Sequence, residues 1–501
     1  MWLNTSRIVV VLGLATTLAA LIQILIGANI IVLALALVCI ACGLYGFWLF
    51  GVFNLGGWFC LVYMAGNVLI AFHAKTVLLQ PVNSHLRAPL DAFGVQAICC
   101  AALLLALIIA YWIPVGRPLT PPITDLTTLK FVSTWCLIIG FGFHVVMMVL
   151  ARAGDQDTSY GGLNVFEHLM YLGIVARTAL VMLRSDGKRM LDPVLIVALG
   201  AAVLSGVLST GKSETSLPVA CFVATVLFFK GKLPRRYVVG LVIGVILFLA
   251  TAPIILTFRY MGLRNMPLDR EVSTLENMLP MLLDYRELAL LAGKHARSKK
   301  SVPYDYYGNH EGQLILGRFS SIQQIDPVVD AVEEEGEMGA GILIDGIRYN
   351  LPKALDPDKP TTIGGLMIVK TLGIYTGGGG FPTVPLAAVV FAAYEWLGIV
   401  FIPLGLFTAY LLMLKKLSWD LRGNIFTIFI LATQLSGIHS AEWRHYTGYL
   451  LRDIPLLTIT YLLMQKMAGL LTRRQREFSP GFFSSLYMNP ESRISDSDPT
   501  M

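Results

Sequence analysis

Basic residues in separate polar segments are the first groups in this sequence that could do chemistry. Lys212 stands in Ser209-Thr210-Gly211-Lys212-Ser213, and Arg259 ends an apolar run with Arg264 close behind. Arg318, Arg348, Lys353 and Lys359 follow in a long polar stretch. Arginine grips phosphate oxygens bidentately and lysine binds them as a point charge, so cations gathered at one interface suit a phosphate or pyrophosphate. The plainer alternative for any one of them is snorkelling to lipid headgroups.

A second group is ionisable but lies inside apolar runs: His144, Glu167, His168, Arg177 and Glu395. A charge in mid-membrane costs about 2.5–3.5 kcal/mol on insertion scales, so it needs a partner or a polar cavity. Glu167 and Arg177 are too far apart along one helix to pair with each other, which leaves bracing between helices or the wall of a headgroup cavity. A third group, His439, Glu442, Arg444, His445 and Arg452, occupies the last polar turn. His and Glu there could act as a base and Arg as a phosphate ligand; a solvated loop is the plain alternative. Asp356-Pro357-Asp358 has the spacing of a metal-binding Asp-x-Asp, but its prolines and lysines favour a turn. Gly377–Gly380 lacks the Lys-Ser/Thr of a nucleotide loop. The seven cysteines all fall in apolar segments without ligand spacing and are expected to be small buried hydrophobes. Neither a metal nor another cofactor is expected.

The elements that must position these groups are membrane spans. Of 501 residues, 55% are hydrophobic and 14% charged, against about 25% charged in soluble chains. Runs of roughly 20 apolar residues suggest about 12 spans: 8–27, 29–50, 53–73, 94–114, 131–151, 163–183, 193–210, 215–230, 237–258, 385–413, 424–440 and 454–471. The first is expected to be an uncleaved span rather than a signal peptide. Short basic turns at Arg184/Lys188/Arg189, Lys230/Lys232/Arg235/Arg236 and Lys415/Lys416/Arg422, with Arg473/Arg474/Arg476 in the tail, alternate with less basic ones. By the positive-inside rule both termini are cytoplasmic. The net charge of +6 is thus a topology signal, not a nucleic-acid patch.

The expected layout is spans in 1–258, a large periplasmic loop in 259–384, spans in 385–477 and a disordered cytoplasmic tail in 478–501. From Arg259 to Thr361 the loop carries 12 Lys/Arg against 16 Asp/Glu. Within it, Thr274–Leu291 and Ile325–Met338 have helical spacing, while Asn350–Pro360 is irregular.

Three segments resemble the Wzy-type polysaccharide polymerases of bacterial envelopes. They are Ser209–Ser213 with Phe258-Arg259-Tyr260; Arg318-Phe319-Ser320-Ser321 with Asp326, leading into Tyr349–Pro360; and Pro382–Pro385 through Tyr394-Glu395-Trp396-Leu397-Gly398 to Gly405. The likeness covers roughly 205–415. Lys212 stands where similar chains carry Arg, Lys353 stands for an Arg, Asp356 for a Trp, and Tyr394 precedes Glu395 rather than following it. The resemblance implies glycan transfer outside the bilayer of the bacterial inner membrane, from a growing oligosaccharide on undecaprenyl pyrophosphate to a new lipid-linked repeat unit. Breaking the sugar–pyrophosphate bond supplies the energy. On that reading Arg318, Arg259 and Lys359 hold the pyrophosphate, with Lys212, Arg348 and Lys353 next in line. Asp326 serves as acid/base or as a sugar ligand, Glu395 lines the cavity, and a chain-length regulator of the Wzz type is an expected partner. An O-antigen ligase shares this topology and donor. A transporter or flippase is the rival outside enzymes, but no internal repeat is visible.

Overall fold

The computed structural model describes residues 4–123, 125–152, 164–208, 212–230, 306–307, 320–351, 355–360, 364–374, 384–435 and 441–477. Regular structure among the described residues is entirely helical. Eight stretches are long and apolar enough to cross a membrane: Thr5–Leu25, Ile30–Phe50, Leu55–Val77, Pro89–Trp112, Leu126–Met147, Val165–Arg184, Leu386–Leu417 and Trp443–Leu471. Pro193–Gly206 and Thr215–Lys230 are shorter apolar helices. The chain is a membrane protein, all-α among the described residues. The expected span at 237–258, the helix at Thr274–Leu291, Gly377–Gly380 and the tail lie outside the described residues.

Asparagines set many of the helix starts. The first turn of a helix has unpaired N–H groups, and an Asn side chain just ahead of it accepts one or two of them. Asn4 accepts from Arg7 ahead of α1 (Thr5–Leu25), and Asn29 accepts from Ile31 and Val32 ahead of α2 (Ile30–Phe50). Asn54 accepts from Gly56 and Gly57 ahead of α3 (Leu55–Met64). A π-turn, Ala65–Leu69, continues α3 into α4 (Ile70–Val77). In the chain's second half, Asn424 accepts from Phe426 and Thr427 ahead of a short helix, Ile425–Leu435.

The next helix, α5 (Pro89–Trp112), packs extensively along Leu386–Leu417 and has no cap of its own. Both of its ends are served by charged residues from elsewhere in the chain. Asp326 accepts the N–H groups of Arg87 (3.0 and 2.9 Å) and Ala88 (2.8 Å) at the N-terminus. Lys415 Nζ donates to the carbonyls of Ala110 (2.9 Å), Tyr111 (2.7 Å) and Ile113 (2.9 Å) at the C-terminus. A carboxylate at the positive end and an ammonium at the negative end both complement the helix dipole.

Four more helices complete the first half: α6 (Leu126–Arg152), α7 (Asn164–Arg184), α8 (Pro193–Leu208) and α9 (Lys212–Lys230). They are followed by short helices of the polar stretch: α10 (Ile322–Glu335), α11 (Gly341–Arg348) and α12 (Gly364–Thr371). These short helices gather where α5 begins, which is called the polar end below. The second half comprises α13 (Leu386–Leu417), α14 (Ile425–Leu435) and α15 (Trp443–Gly448), which runs through a π-turn, Tyr449–Asp453, into α16 (Ile454–Glu477).

Helix α13 is broken near its start. Tyr394 (φ −150°, ψ 24°) and Glu395 (φ 47°, ψ −134°) are not helical, and Glu395 is in the left-handed region that disfavours a side chain. The carbonyls of Ala392 and Ala393, freed by the break, accept the N–H groups of Met338 (2.8 Å) and Gly339 (3.1 Å). The eight residues before the break, Leu386–Ala393, are fully buried under the short helices. The segment after it, Trp396–Leu417, is about 22 residues or roughly 33 Å long at 1.5 Å per residue. That length matches a hydrocarbon core of about 30 Å.

Candidate functional site at the polar end

The polar end has two docking seams. In the first, α10 lies against the start of α5. Asp326 is buried with its oxygens on the Arg87 and Ala88 amides. Burial pushes its carboxyl pKa up, and those two amides oppose the shift. Nearby, Ser321 donates to Asn67, which lies in the first π-turn. Lys75 of α4 is buried, donates to Ser84 Oγ (2.8 Å) and lies 4.2 Å above the Tyr306 ring. The Tyr306 hydroxyl donates to Val82 O (2.7 Å), and Gln80 donates to Tyr307 O (2.8 Å). These bonds fix both described flanks of the segment that contains Arg318.

In the second seam, α11 lies on α15. Trp443 Nε1 donates to Leu343 O (2.8 Å). Asn350 Nδ2 donates to Gly346 O (3.0 Å), Arg444 O (2.8 Å) and Thr447 Oγ1 (3.0 Å). Around Tyr349 the cations converge: the Arg444 guanidinium lies 5.1 Å and Lys359 Nζ 5.7 Å from the ring centroid. Lys359 also donates to the carbonyls of Tyr349 (3.2 Å) and Leu351 (2.9 Å), just past the end of α11. Arg348 forks onto Asp356 through Nε (2.7 Å) and Nη2 (3.0 Å) and reaches Asp358 O (3.2 Å). That hydrogen bond lowers the Asp356 pKa and raises that of Arg348. The Asp-x-Asp segment therefore serves an ion pair within a turn.

Glu442 anchors the second seam from below. It is 2% exposed, accepts Arg444 Nε at 2.7 Å and Val384 N at 3.3 Å, and has Gly365 packed against it. A Cβ on Gly365 would stand 2.8 Å from Glu442 Oε1, so this approach needs glycine. Burial pushes the Glu442 pKa up, with Arg444 opposing. His445 Nδ1 accepts the Glu442 N–H (3.2 Å), and Arg452 pairs with Asp453 at 2.6 Å.

Of the residues singled out by sequence, Lys359 thus meets the last polar turn, whose Arg444 shares the Tyr349 ring with it, while Arg348 pairs with Asp345 and Asp356. Asp326 belongs to the other seam. Glu395 lies at the break in α13, where it joins Asp91 and Asp330 in raising the Glu333 pKa, behind burial as the leading cause. Arg259, Arg318, Lys353 and His439 lie outside the described residues. Lys212 opens α9. Among the described residues no group of three His, Cys, Asp or Glu is arranged to hold a metal.

The ionisable residues within the spans join neighbouring helices. His144 of α6 faces Glu167 of α7 at 3.4 Å and Ser205 of α8 on its other nitrogen. Arg177 pairs with Asp192, its Nε 2.9 Å from Oδ2. Tyr349, Asn350 and Ser205 were not assigned roles from sequence. The first two entered only as the start of the Tyr349–Pro360 stretch that carries the resemblance. No family model, curated protein or solved structure matches this chain.

Proposed function

We propose that this protein polymerises undecaprenyl-pyrophosphate-linked oligosaccharide repeat units on the periplasmic face of the bacterial inner membrane. In this reading there are about 12 spans, both termini are cytoplasmic and the polar end is periplasmic. The observation that supports it is the meeting of Lys359 and Arg444 on the Tyr349 ring, beside Arg348. It brings cations from two distant polar segments to one end of the bundle. Preorganised cations stabilise charge growing on a leaving pyrophosphate. Arg318 and Arg259 are assigned to that group with Lys359, and Lys212, Arg348 and Lys353 support them. Asp326 takes the acceptor proton once the Arg87–Ala88 turn releases one of its oxygens, and Glu395 lines the glycan path. Positioning two bound lipid-linked substrates supplies much of the remaining rate.

The test is surface-polysaccharide length on a gel, in a deletion strain complemented with wild type or Arg318→Ala. Collapse of the ladder to single repeats, restored only by wild type, is the expected result. An unchanged ladder in the deletion strain removes the polymerase reading. Polymer that stays undecaprenyl-linked and never reaches the lipid A core points to a ligase instead.

A further inference from the structure

Ser205, His144 and Glu167 come from three different helices and meet in the order of a hydroxyl-activating triad. The Ser205 hydroxyl bonds to His144 Nε2, and Glu167 Oε2 faces His144 Nδ1 at 3.4 Å. This is the arrangement in which a carboxylate orients an imidazole and the imidazole takes a proton from a serine. We propose that Ser205 is an activated nucleophile that takes carboxylic esters of membrane lipids, a site independent of the polymerase reading.

The three residues lie near the same ends of their helices. His144 is eight residues from the end of α6, Glu167 three from the start of α7 and Ser205 three from the end of α8. At 1.5 Å per residue all are within about 12 Å of those ends, near the depth at which lipid ester groups meet the hydrocarbon. Helix α5 begins at the polar end and α6 starts where α5 finishes, so α6 and α8 finish, and α7 starts, at the polar end; the far ends of α7 and α9 meet where Lys230 donates to Gly187 O (2.7 Å). The imidazole is nearly enclosed, its side chain 10% exposed, while that of Glu167 is 26% exposed. The surroundings are apolar and open to lipid: Leu204 is 60% exposed, and Val145, Val146 and Val149 are 48–58% exposed. An acyl chain has a surface to lie on beside the hydroxyl.

In the reaction, Ser205 Oγ bonds to the acyl carbon and its proton passes to His144 Nε2. The ester C–O bond breaks, and the alcohol leaves with that proton. Water then attacks the acyl-serine, again through His144, releasing the free acid and restoring Ser205.

A long-chain alkyl fluorophosphonate tests this on the full-length protein in membranes. Serine attack at phosphorus expels fluoride and leaves a stable adduct, which mass spectrometry locates. The expected result is an adduct on the Ser205 peptide of the wild type, at least tenfold weaker in His144→Gln and missing in Ser205→Ala. The wild-type measurement depends on no variant's folding. No adduct on Ser205 under excess probe, or equal labelling of His144→Gln, would overturn the proposal and leave the three residues as bracing between helices.

Discussion

Asp326 and Glu442 are both buried carboxylates in the docking seams of the polar end, yet they are used differently. Asp326 accepts amides of the backbone at Arg87 and Ala88, so it acts as the cap that α5 lacks. Glu442 is divided between a guanidinium, Arg444, and backbone amides that include Val384 and Gly365. The first ties a loop helix to a span by backbone geometry alone. The second holds a side-chain cation beside the Tyr349 ring and thereby shapes the charged cluster. Residue type does not distinguish these two jobs; the partner does.

Neutralising each carboxylate without changing its shape sharpens the contrast. Glu442→Gln leaves the largely buried Arg444 guanidinium without its counter-charge and should cost about 3 kcal/mol. Asp326→Asn keeps one oxygen for the Arg87 and Ala88 amides and turns only its NH2 toward the Arg87 N–H, and should cost about 1–2 kcal/mol. Chemical denaturation in detergent micelles measures both, and equal losses would erase the distinction. A pH titration refines it. The Asp326 pKa is raised in the fold, so its contribution to stability is present below the ordinary carboxylate value of about 4 and is lost as pH rises through the raised value. Asp326→Asn should flatten that decline; an unchanged slope would show that Asp326 does not cause it. The smallest effect belongs to Arg87→Ala. Its side chain is 62% exposed and pairs with Asp330 at 3.3 Å. Its loss should change stability by no more than about 0.5 kcal/mol, since the Arg87 backbone N–H, which is kept, acts on Asp326 more strongly than its charge.

The sequence revealed much of this architecture and little of its wiring. The all-helical membrane fold followed from apolar run length. The helix expected at Ile325–Met338 is α10, shifted by three residues at each end. The long span expected at 385–413 is present but broken at Tyr394–Glu395. Hydropathy averages over a break of two residues, and the bonds that permit it come from Met338 and Gly339, far away in sequence. The last span was expected from 454, yet helix runs from Trp443. Arg444, His445, Arg452 and Asp453 lower the local hydropathy, whereas the π-turn keeps the backbone helical through them. Helix starts were legible in principle from Asn4, Asn29, Asn54 and Asn424. The cap on α5 was not, because Asp326 comes from another part of the chain. In the candidate site, the cations were recognisable by type. Their grouping around Tyr349 was not, because 94 residues separate Asn350 from Arg444, its carbonyl partner.

The break in α13 also has a consequence for how the protein sits in lipid of varying thickness. An unbroken helix of 32 residues would exceed the hydrocarbon and would have to tilt to hide its excess. Here the surplus of just over two turns is folded away beneath α10 and α11, and the lipid-facing length is set by the stretch between Trp396 and the paired lysines, Lys415 and Lys416. Those lysines are tied to carbonyls at and beyond the end of α5, so the two helices share one lower limit. Thickening the bilayer should therefore strain this pair together rather than let α13 slide past α5, making the pair a fixed-length gauge of the membrane around it.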